Sequence, residues 1–103
     1  MAPTGTAVEI RHLRYFLAVS DELHFRRAAE RLHIAQPPLS QAIQKLEAAL
    51  GVQLFERTSR AVMPTEAGVV FAEEARKILA ALEHAVSKTR GAANGRVRRG
   101  SAA

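Results

Sequence analysis

No carboxylate lies between Glu30 and Glu47, and the stretch between them carries Arg31, His33, Gln36, Ser40, Gln41, Gln44 and Lys45. Amides, a hydroxyl and cations without an opposing acid make a surface that can approach phosphates. Other chemistries are poorly served. The chain has no cysteine, which removes disulfides, thiolate zinc sites, iron-sulfur clusters and thiol nucleophiles. His12, His24, His33 and His84 show no i, i+4 ligand pairing, there is no glycine-rich phosphate loop, and Ser40 has no base partner within its motif. The chain is therefore expected not to be an enzyme and to hold no metal or cofactor. His33 is expected to pack or cap, and His84 to face solvent.

The elements that must position this surface follow from the residues around it. Pro37 and Pro38 are tolerable only in the first turn of a helix, where amide donors are unpaired anyway, so a helix starts near Gln36. Leu39, Ile43, Leu46 and Leu50 form one apolar stripe, and Gly51 suits the left-handed stop. The opposite side carries Pro37, Gln41, Gln44, Lys45 and Ala48, with Ser40 on its flank. A merely solvated face usually mixes signs, as Arg27, Glu30 and Arg31 do on the preceding short helix at about Phe25 to Leu32. Before that, Ile10, Leu13, Phe16 and Leu17 predict a first helix from near Glu9 to near Asp21, and His33-Ile34-Ala35 forms a tight break. After Gly51, Val52 to Arg57 and Arg60 to Met63 read as a two-stranded hairpin around Thr58-Ser59. Thr65 then caps a long helix running to about Thr89, about 36 Å at 1.5 Å per residue. Phe71, Ala75, Ile78, Leu82 and Val86 line one of its faces, reinforced by Leu79, and a stripe projecting past its own domain needs a partner. Gly91 to Gly100 reads as a hinge followed by the start of a strand, and Met1 to Val8 as a flexible arm.

Length and composition set the frame. At 103 residues, 48% hydrophobic and 24% charged, the chain is one ordinary globular domain. Its net charge of +5 says little by itself, because without Arg90, Arg96, Arg98 and Arg99 eleven cations face ten carboxylates. No apolar run approaches the ~20 residues of a membrane span, and the start has no signal-peptide pattern, so a soluble cytoplasmic protein is expected. Two short helices, a tight turn, a helix with an exposed polar face and a hairpin describe a winged helix-turn-helix, whose third helix enters the DNA major groove. A small helical interaction domain with the same packing, or a scaffold that assembles through the long helix, remains open at this point.

The residues themselves resemble a family. Phe16-Leu-Ala-Val, Phe25-Arg-Arg-Ala-Ala-Glu-Arg-Leu-His-Ile-Ala-Gln-Pro-Pro-Leu-Ser40, Leu46-Glu, Leu50-Gly-Val-Gln-Leu-Phe-Glu-Arg57 and Pro64-Thr-Glu-Ala-Gly68 look like the N-terminal DNA-binding domain of LysR-type bacterial transcriptional regulators. The resemblance covers about Val8 to Arg90. It implies a mainly α fold: a winged helix-turn-helix over 9–64, with three helices and a two-stranded wing, followed by a linker and dimerisation helix over 65–90. Residues 91–103 would be the hinge and the beginning of an effector-binding domain. It also implies double-stranded DNA as ligand, a homodimer through the linker helix, a tetramer of the full-length form and a small-molecule effector only in that further domain.

Carried over by position, the DNA-contacting set is Gln36, Pro37, Pro38, Ser40 and Gln41 with the wing residue Arg60; Gln44, Lys45 and Arg57 extend it. Gln41 and Gln44 can bridge adenine N6 and N7, the prolines can lie against a thymine methyl, Ser40 and Lys45 can bind phosphate, and Arg60 can enter the minor groove. The dimerisation set is Phe71, Ala75, Ile78, Leu79, Leu82 and Val86. Three positions depart from the family's habit. Ala35 replaces a frequent Ser, which predicts a missing cap worth ~1 kcal/mol. Gln41 replaces a frequent Arg, which favours adenine over guanine. His24 replaces a common Ser.

Overall fold

The computed structural model describes residues 8–102, with side chains through residue 94. The expected N-terminal arm therefore lies outside the described residues except for Val8, which packs half-buried against the core. The first helix, α1 (Ile10–Glu22), begins after an extended Glu9 whose N–H donates to Nδ1 of His12 at 3.2 Å. It ends at Leu23, which is left-handed with φ 51° and closes the turn by donating to the Val19 carbonyl at 2.7 Å.

The second helix, α2 (Phe25–Leu32), is capped by His24, whose Nδ1 accepts the Arg27 N–H at 3.1 Å. The imidazole thus does what a hydroxyl does elsewhere. His33 ends α2 at φ 60°, and Ile34 donates to the Ala29 carbonyl at 3.0 Å, so the expected capping role of His33 is met by its backbone. The third helix, α3 (Gln36–Leu50), starts and stops where the prolines and Gly51 (φ 73°) dictate.

The hairpin is shorter than its β-prone residues suggested. Strand β1 (Phe55–Arg57) pairs antiparallel with β2 (Val62–Pro64), in the register Phe55 to Pro64, Glu56 to Met63 and Arg57 to Val62. Strand β1 begins only at Phe55, and the end of α3 takes the Val52 and Leu54 amides before it. Val52 donates to the Glu47 carbonyl at 3.3 Å, and Leu54 donates to the Glu47 carboxylate at 2.8 Å. Arg60 and Ala61 belong to the turn, where the Thr58 hydroxyl accepts their N–H groups at 3.2 and 3.0 Å.

The last helix, α4 (Glu66–Ala102), runs well past Thr89. The expected hinge and strand over Gly91 to Gly100 are helical instead. Among the described residues no strand pairs with the β-prone Arg96-Val97-Arg98, and helix satisfies its backbone locally. The N-terminus of α4 is fixed by Thr65, whose hydroxyl donates to the Gln53 carbonyl at 2.7 Å and accepts the Gly68 N–H at 2.9 Å.

The core lies where α1 meets α2, α3 and α4. Phe16, Val19, Leu39, Ile43, Leu46 and Leu54 are fully buried. Phe16 joins the wing to α4, with ring centroids 5.3 Å from Phe55 and 5.1 Å from Phe71. Ala28 and Ala29 are buried, and their small side chains let α2 come close. Asp21 adds a polar clasp, 3.2 Å from Arg31 of α2 and 2.9 Å from Arg76 of α4.

Candidate nucleic-acid interface

Burial of Leu39, Ile43 and Leu46 turns the rest of α3 outward. Gln36, Pro37, Pro38, Gln41, Gln44 and Lys45 are exposed, and Ser40 is half-buried at the margin. The single acid of α3, Glu47, points away to the wing, where its carboxylate is taken up by Leu54, Phe55 and Arg57. No carboxylate of α3 therefore remains on the exposed face.

Two clefts flank this helix. One, of about 370 Å³, lies between its first turn, the start of α2 and the wing, with Gln36, His24, Arg26, Ser59 and Arg60 among its lining residues. The other, of about 170 Å³, brings Arg11 and Tyr15 of α1 beside Pro38, Gln41 and Lys45. Gln36 and Arg60, far apart in sequence, thus share a wall. Arg60 sits at the hairpin tip with no ion-pair partner among the described residues, held by a turn whose backbone is fixed by Thr58.

Two cations do not behave as the sequence suggested. Arg57 is committed, its guanidinium 3.4 Å from Glu47 and 5.0 Å from the centre of the Phe25 ring. It braces the wing. Arg31, from the acid-free stretch, is turned back to Asp21 and Glu22. Sequence reasoning missed Arg26 and Arg27, exposed in the first turn of α2 and without ion-pair partners among the described residues. A signal was available, since the positive end of a helix dipole disfavours cations.

The proposed dimer stripe divides in two. Ala75 is fully buried in the chain's own core, and Phe71 and Leu79 pack half-buried against it, so these three need no second copy. Ile78 and Val86 remain 44% and 39% exposed. Leu82 and Val86 line a cleft beside Arg14 and Arg90. Val69 and Val70, which the stripe omitted, are more than half exposed. His84 is exposed, as expected. Among the described residues, no helix is long and apolar enough to cross a membrane, and no cluster of three or more His, Asp or Glu could hold a metal ion.

This arrangement has counterparts. The family described as bacterial regulatory helix-turn-helix protein, lysR family, matches residues 10–69. The chain belongs to the LysR family. Its mainly helical fold with a two-stranded wing is that of LysR-family DNA-binding domains. It is 54% identical over 88 residues to the HTH-type transcriptional regulator BudR of Klebsiella aerogenes, covering 85% of this chain and 62% of that protein. It is 52% identical over 83 residues to BenM of Acinetobacter baylyi, covering 81% of this chain and 27% of BenM. The chain thus spans between about a quarter and three fifths of these relatives' lengths. Among solved structures, the BenM DNA-binding domain in complex with catB site 1 DNA superposes with a TM-score of 0.82 at 51% identity, covering 85% of this chain and 98% of that one. The CbnR DNA-binding domain in its DNA complex gives a TM-score of 0.81 at 44% identity, covering 84% and 99%. This LysR-family domain therefore shares both fold and sequence with domains crystallised on DNA.

Proposed function

We propose that the chain binds double-stranded DNA with sequence specificity as part of a transcription regulator. In this reading α3 enters the major groove and the wing tip lies at the adjacent minor groove. The observation that carries it is the exposed, carboxylate-free face Gln36, Pro37, Pro38, Gln41, Gln44 and Lys45, set over a wholly apolar buried face. Gln41 and Gln44 present amides with the donor and acceptor pair that adenine offers in the major groove. Ser40 and Lys45 bond flanking phosphates, with Arg26 and Arg27 at the start of α2 adding two more contacts. Arg60 reaches the narrower groove. The likeness to BenM and CbnR domains in DNA complexes supports the same docking.

The outer face of α4, chiefly the exposed Ile78 and Val86 with the half-buried Leu82, pairs two copies, so that two recognition helices meet an inverted repeat. A further domain of the full-length protein would bind a small-molecule effector and assemble tetramers. The domain itself acts without cofactor or catalysis, in the cytoplasm.

The test is a titration of duplexes enriched from a randomised pool by the chain itself, against scrambled duplexes of the same composition. Four cations on this surface, Arg26, Arg27 and Lys45 at phosphates and Arg60 in the minor groove between two phosphate rows, predict a slope of log K against log salt of about −3 to −4 for each bound copy. Indifference to both duplexes, with self-association retained, would make the chain an assembly module instead.

A further inference from the structure

The single carboxylate of α3 is its most heavily engaged side chain. Glu47 is 13% exposed at its side chain. Its Oε2 accepts the N–H groups of Leu54 at 2.8 Å and Phe55 at 3.3 Å, and its Oε1 accepts from the Arg57 guanidinium at 3.4 Å. That guanidinium lies over Phe25, the first residue of α2, and Phe25 meets Phe55 edge-on at 6.4 Å. One carboxylate therefore ties the last turn of α3 to β1 and, through Arg57, to the start of α2. Arg57 pairs across the sheet with Val62, immediately below the turn that bears Arg60.

We propose that Glu47 is a positioning residue for DNA recognition, holding the wing tip and its Arg60 at a fixed offset from the exposed face of α3. The inference rests on the DNA-binding reading above. A two-stranded hairpin is not stable alone. Without a brace the wing would have to be ordered at the moment of binding, and that ordering costs affinity. With the brace, helix and wing present one rigid surface.

The variant Glu47→Gln keeps a carbonyl acceptor for Leu54 and removes the charge that holds Arg57. Affinity for the enriched duplex is measured for the wild-type chain, Glu47→Gln, Arg60→Ala and the double variant, with a thermal melt of each. Glu47→Gln should lose about tenfold in the wild-type background, of the order expected for Arg60→Ala itself. It should lose almost nothing when Arg60 is already alanine, and hydroxyl-radical protection of the flanking minor groove should fade alike in both single variants. An equal loss in both backgrounds would reduce Glu47 to a structural residue and overturn the proposal. If Glu47→Gln melts below the assay temperature, Glu47→Asp gives the same cycle, since its shorter arm cannot reach Leu54 and Arg57 together. A wild-type chain without salt-dependent affinity for any duplex would overturn the DNA reading itself, an outcome distinct from additive losses in a chain that binds.

Discussion

Glycine to alanine should act with opposite sign at two positions of α4. In a helix interior the exchange is normally favourable by about 1 kcal/mol, because alanine restricts the unfolded chain and suits the helix. At Gly91 a new Cβ meets nothing within 4 Å, so Gly91→Ala should stabilise by about 0.5 to 1 kcal/mol. At Gly68 the added carbon would collide with the carbonyl oxygen of Leu54. That obstacle is backbone and cannot rotate away. The helix start must shift, loosening the 3.0 Å bond from the Thr65 N–H to Leu54 and the 2.7 Å bond from its hydroxyl to Gln53. Overpacking of this kind costs about 1 to 3 kcal/mol and a lost hydrogen bond about 1 more, against about 1 gained from propensity. The net should be a loss of about 1 to 3 kcal/mol, a fall in melting temperature of about 5 to 20 °C for a domain of this size. Urea unfolding followed by circular dichroism, at one fixed protein concentration so that self-association does not differ, measures both. If Gly68→Ala stabilised as much as Gly91→Ala, the close approach of α4 to Leu54 would be refuted.

Other substitutions test the remaining parts. Ala35→Ser should change stability by less than about 0.5 kcal/mol in the same unfolding assay, although an N-cap serine ordinarily contributes about 1. Its hydroxyl would look for the N–H groups two and three residues on, and those are Pro37 and Pro38. Gln41→Ala should lose about 1 to 3 kcal/mol on the enriched duplex and little on scrambled DNA, whereas Arg60→Ala should weaken both more evenly and flatten the salt slope by about one unit. Equal losses from Gln41→Ala on both duplexes would move base reading to Gln44 or the prolines. Changing Ile78 and Leu82 together to Asp should give folded monomers by sedimentation, each side chain contributing about 1 to 3 kcal/mol to a buried contact; a double variant that still dimerises places the interface elsewhere, with Val69 and Val70 the next candidates.

What could be read from sequence was what neighbours in the chain decide. The limits of α2 and α3 follow from His33, the two prolines and Gly51, each of which acts on its own backbone. The outward face of α3 follows equally, since Leu39, Ile43 and Leu46 leave only one side free. What depends on distant partners was not legible. Val52 to Leu54 are β-prone, but Glu47 on the preceding helix takes the Val52 amide with its carbonyl and the Leu54 amide with its carboxylate. Periodicity marks Phe71, Ala75 and Leu79 as apolar without saying whether the chain's own core or a second chain covers them, and the core does, with Phe71 against Phe16 of α1. The general rule makes the missing side-chain cap at Ala35 a loss, but the adjacent prolines remove the donors such a cap would serve.

The cations show the same division most clearly, and it bears on function. Arg11, Arg31, Arg57, Arg76 and Lys77 all lie within 3.4 Å of a carboxylate, and Arg31, Arg57 and Arg76 join separate elements of the fold. Arg26, Arg27, Lys45 and Arg60 have no ion-pair partner among the described residues, and all four lie on α2, α3 or the wing tip. Two of them stand where they oppose their own helix dipole, a placement that costs about 0.3 to 1 kcal/mol each at low salt. A solvated helix has no use for such a cost. Phosphates arriving at that end reverse its sign, because an anion is favoured by the dipole and by the guanidinium groups together. The net charge of the chain is thus a poor guide to its partner: Arg14, Lys88 and Arg90 on α1 and α4 are also without ion-pair partners among the described residues. In the proposed reading it is the position of Arg26, Arg27, Lys45 and Arg60 beside the exposed face of α3, not their being unpaired, that suits them to a nucleic-acid backbone.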